Sequence, residues 1–284
     1  MSILVTGATG QLGRLVIDSL ISRGVAPQDI VAGARDTAKA DDLARRGVTV
    51  RELDYTDPST IASAFEGVDA VLLISSSEVG QRVAQHEAVI DAAAARGVSK
   101  FVYTSAPKAT TTDLILAAEH KATEEAIAAA GLPAVILRNN WYTENYASDL
   151  ERAGGTGVVA ASVGDGRVAS ASRADYADAA AAVLVTDGHI GQTYELGGDV
   201  AWNYSELAEA IADVTGRPVV FHALSPEEHA AQLMAAGLDA ATADFVTALD
   251  AGIRNGALEQ SDGTLSRLIG RPTTPLVEGL RALA

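Results

Sequence analysis

Gly7, Gly10 and Gly13 are each separated by two residues in Ile3-Leu4-Val5-Thr6-Gly7-Ala8-Thr9-Gly10-Gln11-Leu12-Gly13. An apolar strand precedes them and a helical pattern follows at once. That order suits a dinucleotide's pyrophosphate, which needs exposed backbone N–H groups and the positive end of a helix. Gly7 can take the tight turn, Gly10 admits phosphates close to the backbone, and Gly13 lets the helix lie close to the strand. The spacing is Gly-x-x-Gly-x-x-Gly, not the commoner Gly-x-Gly-x-x-Gly. The alternative is a strand-to-helix turn that holds no ligand. Its place at the head of a strand–helix alternation favours the dinucleotide.

The second strand runs into Val31-Ala32-Gly33-Ala34-Arg35. An acidic residue at this point would accept from a ribose 2′-hydroxyl, whereas Arg35 can pair with a 2′-phosphate. The spacing therefore predicts NADP, with Lys39 one helical turn further on and Asp36 opposing it. Asp54 ends the third strand, where its carboxylate can either accept from the adenine amino group or cap a turn, as can Asp57. Ser75, Ser76 and Ser77 follow the fourth strand, and Thr104 and Ser105 end the fifth. Ligands of such sheets bind at these carboxyl ends, and small hydroxyl side chains there can line a cofactor or cap helices.

No residue pair offers the usual acid–base chemistry of a short-chain reductase, a Tyr-x-x-x-Lys dyad. Four residues after the seven tyrosines stand Ser59, Pro107, Tyr146, Leu150, Ala180, Gly198 and Ala208, none of them lysine. The chain also lacks a His-x-x-x-His pair and a Gly-x-Ser-x-Gly nucleophile elbow. His86 is expected on an exposed helix face, and His189, His222 and His229 offer no useful pairing. No metal and no flavin are expected.

The elements that must position these residues alternate regularly. Strands are expected at Ile3–Val5, Ile30–Ala34, Thr49–Leu53, Ala70–Ser75, Lys100–Thr104 and Ala134–Arg138. Helices are expected at Leu12–Ser22, Ala38–Arg46, Ile61–Glu66, Val79–Arg96 and Ala117–Ala130. Successive βα units predict a doubly wound parallel sheet with right-handed crossovers. After Arg138 the pattern changes. Gly154, Gly155, Gly157, Gly164 and Gly166 suggest irregular structure. A helix near 175–186 and a strand Thr193–Leu196 return to the sheet. A helix after Trp202, a strand Val219–Ala223 and two helices from Pro226 to about Ile253 then form a smaller part. The expected division is a nucleotide-binding domain over 1–150, with a return contribution from about 175–198, and a smaller α+β cap over 151–284 on the substrate side.

Composition narrows the class. The chain has 284 residues, 48% of them hydrophobic and 20% charged, enough for a sizeable core and incompatible with disorder. Asp and Glu number 37 against 21 Lys and Arg, for a net charge of −16. Such a surface repels nucleic acids and anionic membranes, so neither is an expected partner. There is no cysteine, hence no disulfide framework or thiol nucleophile. The strand at the very start and the lack of a long apolar run predict a cytoplasmic protein.

Several motifs carry a family resemblance. They are Thr6-Gly-Ala-Thr-Gly-Gln-Leu-Gly13, Asp54, Ser75-Ser-Ser-Glu-Val-Gly80, Tyr103-Thr-Ser105 and Leu137-Arg-Asn-Asn-Trp-Tyr-Thr-Glu-Asn-Tyr146. Together they resemble the NmrA-like group of atypical short-chain dehydrogenases, and most closely its quinone-reducing branch. Gly164-Asp-Gly-Arg-Val-Ala-Ser-Ala-Ser-Arg-Ala-Asp-Tyr176, Tyr194-Glu-Leu196 and Leu268-Ile-Gly-Arg-Pro-Thr-Thr274 extend the likeness over nearly the whole chain. The resemblance implies a Rossmann-type fold and NADPH contacts at Gly7, Ala8, Thr9, Gly10, Gln11, Leu12, Arg35, Ser75, Ser76, Ser77, Asn139, Glu144 and Ser170. It implies hydride transfer from NADPH to a small quinone. A non-catalytic NADP(H)-binding redox sensor is the alternative. Some relatives carry a lysine four residues before an acidic residue on the helix after the fifth strand; here that position, counted from Glu124, is His120. Either His120 takes a polar, catalytic role beside the nicotinamide, or no dedicated catalytic acid exists there; the plainer alternative is that His120 and Lys121 are ordinary exposed helix residues. Asn140, Trp141 and Tyr142 fall on the substrate side in this reading. There the aromatic rings, with Tyr146, either stack on a quinone or wedge the cap against the sheet.

Overall fold

The computed structural model describes all 284 residues. In chain order the first elements are β1 (Ile3–Val5), α1 (Gln11–Ser22), β2 (Ile30–Ala34), α2 (Asp41–Arg45), β3 (Thr49–Glu52), α3 (Pro58–Ala64) and β4 (Ala70–Leu73). Next come α4 (Arg82–Arg96), β5 (Lys100–Ser105), α5 (Ala117–Ala129), β6 (Ala134–Asn139), α6 (Ala147–Thr156), β7 (Val158–Ala161), α7 (Arg173–Val185) and β8 (Thr193–Leu196). The last are α8 (Tyr204–Thr215), β9 (Val220–Ala223), α9 (Pro226–Ala235), α10 (Ala240–Arg254), α11 (Thr264–Ile269) and α12 (Leu276–Arg281).

The chain divides into two compact units. The first comprises Met1–Ala106, Ala118–Asn139 and Arg173–Tyr194; the second comprises Pro107–Ala117, Asn140–Ser172 and Glu195–Ala284.

A seven-stranded sheet in the order β3-β2-β1-β4-β5-β6-β8 organises the first unit. The pairs from β3 through β6 are parallel. This is the expected Rossmann-type doubly wound sheet, with the order reversing beside β1, where such sheets place their ligands. Leu4, Val71, Leu73, Phe101 and Tyr103 stand in one buried cluster with residues of the covering helices. Alanines do the close packing on another helix: Ala179, Ala180 and Ala181 of α7 are all fully buried. Ser19 of α1 donates to Asp178 of α7 at 2.5 Å. Lys100 at the start of β5 caps the far end of α7, donating through Nζ to the carbonyls of Val183, Leu184 and Thr186 at 2.7–3.1 Å. That placement sets a cation against the negative end of the helix.

The expected strands of this sheet agree with the structure to within two residues. Helix α4 starts at Arg82 rather than Val79, because Gly80 at φ +86° interrupts any earlier helical turn.

The second unit departs further from expectation. Gly154 and Gly155 lie inside α6 rather than in irregular structure. Leu150 and Ala153 on its buried face join the core of this unit with Trp202, Leu207 and Ile211. That packing outweighs the weak helix propensity of two glycines, and Gly157 at φ +75° then ends the helix. Strand β7, unforeseen in the sequence, pairs in parallel with β9 to form a two-stranded sheet. No helix of the chain is long and apolar enough to cross a membrane.

Candidate active site

The turn after β1 is built as a cradle for an anion. Gly7 takes φ +58°, a left-handed conformation that favours glycine. Helix α1 begins at Gly10 with no side-chain cap and no acidic residue in its first turn. Its first amides therefore lack an intrahelical or side-chain acceptor, as an anion site requires. A Cβ on Gly13 would lie 2.4 Å from the Gly7 carbonyl oxygen and 2.8 Å from Ala8 Cα. Glycine at 13 is thus what lets α1 press against the turn.

A cavity of about 470 Å³ opens at this turn. Gly7, Thr9, Gly10, Arg35, Lys39, Asp54, Ser75, Ser76 and Ser77 line it, all from the first unit. Of the sequence-expected cofactor residues, Ala8, Gln11, Leu12, Thr104, Asn139, Glu144 and Ser170 are not in this lining. Ala8 is fully buried and its amide donates to the Gly33 carbonyl at 3.1 Å. Thr104 is buried and its hydroxyl accepts from the Ser75 amide at 2.9 Å, tying β5 to the loop after β4.

The groups around the cavity are already ordered. Asp54 Oδ1 accepts from both the amide and the hydroxyl of Thr56 at 2.8 Å, and these bonds hold its carboxyl below the usual range. Asp54 thus caps its own turn through Oδ1, and Asp57 caps α3 through the Ser59 amide. Tyr55, which sequence reasoning passed over, lines the same cavity, and burial pushes its phenol up to about 12. Arg35 Nη1 meets Glu78 Oε1 at 2.8 Å, and Gln85 Nε2 donates to the other Glu78 oxygen at 2.7 Å. Glu78 and Gln85 were likewise missed. Glu78 sits in the quoted Ser75–Gly80 motif, but its partner is 43 residues away.

Behind the loop lies a buried polar network. The Ser76 amide donates to His86 Nε2 at 3.0 Å, so Nδ1 carries the hydrogen and donates to Thr123 Oγ1 at 2.9 Å. Burial, reinforced by the Arg82 charge, lowers His86 to about 3. The expectation of an exposed His86 is therefore wrong: its ring is fully enclosed and positions the loop. Arg82 pairs with Glu119 at 2.9 Å and donates to the Ser76 carbonyl at 2.7 Å, while Glu119 accepts from the Gly80 amide at 2.8 Å.

His120 is buried, whereas Lys121 beside it is exposed. Its Nδ1 lies 2.8 Å from the Tyr103 hydroxyl, and burial lowers its pKa to about 4. The Tyr103 phenol is itself raised by burial. Glu124, one turn further along α5, accepts from Ser105 Oγ at 2.6 Å and from Arg138 Nε at 2.9 Å. Its second oxygen accepts from Arg138 Nη2 at 2.6 Å. This enclosed pair joins α5 to the ends of β5 and β6, where Asn139 follows in a buried position.

The remaining expected residues belong to the second unit. Asn140 is buried; its Nδ2 donates to the Leu258 carbonyl at 3.1 Å and its Oδ1 accepts from the Trp141 amide at 2.7 Å. Trp141 packs on the core of this unit and Tyr142 bridges to Ala171. Glu144 lies in a short 3₁₀ turn. Ser170 is buried, accepting from Trp202 Nε1 at 3.0 Å and sharing a hydrogen bond with Thr143 Oγ1 at 2.9 Å. Tyr146 is enclosed against Trp202 and Tyr204, with ring centroids 5.0 and 6.1 Å away. Two further histidines correct the sequence reading, since both have partners. His229 Nδ1 lies 2.8 Å from Asp250 Oδ2, and His189 Nδ1 lies 2.8 Å from the Tyr194 hydroxyl.

A parallel doubly wound sheet, a glycine turn ending in an uncapped helix, and a cation beside the same cavity define a nucleotide-binding protein. The chain belongs to the NAD(P)H-binding family, which it matches over residues 7–187. It is 48% identical to quinone oxidoreductase 2 of Escherichia coli (strain K12), an alignment covering 99% of this chain and 98% of the relative. The fold superposes on the crystal structure of the E. coli NADPH-dependent quinone oxidoreductase in complex with NADPH, with a TM-score of 0.95, 47% identity and 99% of both chains covered. The NADP(H) complex of Citrobacter sp. triphenylmethane reductase is similar too, with a TM-score of 0.94, 37% identity and full coverage of both chains.

Proposed function

We propose that this protein is an NADPH-dependent oxidoreductase that transfers hydride to small quinones. The observation that carries the reading is the full-length 48% identity to E. coli quinone oxidoreductase 2. The cavity beside Gly7 and Arg35 supports it, because its residues suit the cofactor. The first amides of α1 would hold the pyrophosphate, Arg35 with Lys39 the 2′-phosphate, and Asp54, Ser75, Ser76 and Ser77 the adenosine and ribose. Gln11 and Leu12 would contribute backbone amides. Asn139, Glu144 and Ser170 complete the cofactor set in this reading. The division into a cofactor-binding part and a substrate-side part, with Asn140, Trp141 and Tyr142 in the latter, belongs to the same proposal. So does a cytoplasmic location.

NADPH supplies the hydride when bound. The chain's own contribution is proximity and orientation more than acid–base catalysis, since a quinone is electrophilic enough to accept hydride directly. A neutral His120 carrying its hydrogen on Nε2 can donate a hydrogen bond to the quinone oxygen as charge develops there. Hydride transfer leaves the hydroquinone as a monoanion, and one proton from water neutralises it.

The test is NADPH oxidation followed by absorbance with a simple benzoquinone. Oxidation well above the enzyme-free rate is expected. Tight NADPH binding without such oxidation would sink the reductase reading and leave a nucleotide-binding sensor.

A further inference from the structure

Arg35 leaves the end of β2 and Glu78 sits on the loop after β4. In the sheet these strands flank β1, so their 2.8 Å contact reaches over the end of β1, where the glycine turn emerges. Both residues line the nucleotide cavity. The cation chosen above for the 2′-phosphate is thus already held by a carboxylate. Lys39 is similarly matched, with Nζ 3.8 Å from Asp36.

Glu78 is not a wandering surface side chain. Its second oxygen is held by Gln85 Nε2 at 2.7 Å, and its amide donates to Ser76 Oγ at 3.2 Å. Ser76 Oγ in turn donates to Gln85 Oε1 at 2.6 Å. The same loop is pinned by His86 at the Ser76 amide and by Glu119 at the Gly80 amide. The carboxylate is therefore presented to Arg35 by a preorganised loop.

We propose that Glu78 is an internal competitor for the 2′-phosphate, a latch that occupies Arg35 until a phosphomonoester displaces it. The inference rests on the reading of this cavity as the NADPH site. A carboxylate offers a single negative charge, whereas a phosphomonoester near neutrality offers about 1.5 to 2 charges and three acceptor oxygens. NADPH can open the latch for that reason. NADH has nothing to exchange for Glu78 and leaves it closed. Glu78 thereby sets the affinity for NADPH without contributing to that for NADH. The side chains of Arg35 and Glu78 are 68% and 36% exposed, so solvent screens the pair. Releasing it is worth about two- to fivefold in affinity.

The experiment measures dissociation constants for NADPH and NADH on the full chain, by nicotinamide fluorescence, for the wild type and for Glu78→Gln, Glu78→Ala and Arg35→Gln. Both Glu78 variants should bind NADPH about two- to fivefold more tightly, with NADH unchanged. Arg35→Gln should erase most of the preference for NADPH. Unchanged or weaker NADPH binding in both Glu78 variants, with the preference lost in Arg35→Gln, would overturn the latch alone. A preference that survives Arg35→Gln would overturn the 2′-phosphate assignment itself.

Discussion

The Tyr103 hydroxyl lies 2.8 Å from Nδ1 of His120, and both groups are buried. With the buried phenol donating to Nδ1, the His120 hydrogen sits on Nε2. With its pKa lowered to about 4, this imidazole stays neutral through the ordinary pH range. It is thereby set to donate a hydrogen bond rather than to release a proton from a cation. Quinone turnover should show no inflection near about 6.5, the ordinary histidine value. His120→Ala should lower kcat by about tenfold, the order of one lost hydrogen bond to developing charge. An inflection near 6.5 that vanishes in His120→Ala would show a cationic donor instead.

Arg35→Ala should raise the dissociation constant for NADPH by about 10- to 100-fold while changing that for NADH little. That range corresponds to the loss of a charge-assisted hydrogen bond to a phosphate. Equal losses for both nucleotides would mean that Arg35 does not face the 2′-phosphate.

Gly13→Ala places a Cβ 2.4 Å from the Gly7 carbonyl, a contact that only a shift of α1 can relieve. The cost should be about 1–3 kcal/mol, read from the denaturant midpoint. NADPH affinity should fall as well, because the displaced helix carries the amides of the phosphate cradle.

Glu124→Ala should be destabilising by about 1–3 kcal/mol, because it removes the carboxylate to which Arg138 and Ser105 Oγ donate. Replacing both partners by leucine and methionine should recover much of that loss. A denaturation series on the single and double variants checks the difference.

Two enclosed histidines make the fold acid-sensitive above the carboxylate range. Their folded-state pKa values are lowered, His86 to about 3 and His120 to about 4, so folding disfavours their protonation. The stability they confer is complete above their unfolded value of about 6.5. It falls as the pH drops from there toward 4, with a slope approaching about 1.4 kcal/mol per pH unit for each histidine. Asp54 and Asp57, whose values are also lowered, add their loss only below about 4. His86→Asn should flatten the slope between pH about 6 and 4 while lowering stability at pH 7.

The sequence by itself determined the parallel sheet of the first unit, the glycine turn and the cation at the end of β2. These are short-range properties. Strand and helix periods repeat within a few residues, and a left-handed turn at Gly7 is a local demand on one backbone angle. The tertiary structure alone decided which side chains meet across the chain. Arg35 meets Glu78 across 43 residues, Ser105 meets Glu124 across 19, and His229 meets Asp250 across 21. No local pattern encodes such pairs, because they exist only once strands and helices are laid side by side. For the same reason His86, on a helix that mixes charged residues with alanine, looked exposed and proved enclosed, and α6 formed through two glycines. Burial against neighbouring elements, not propensity, supplied the energy in both places.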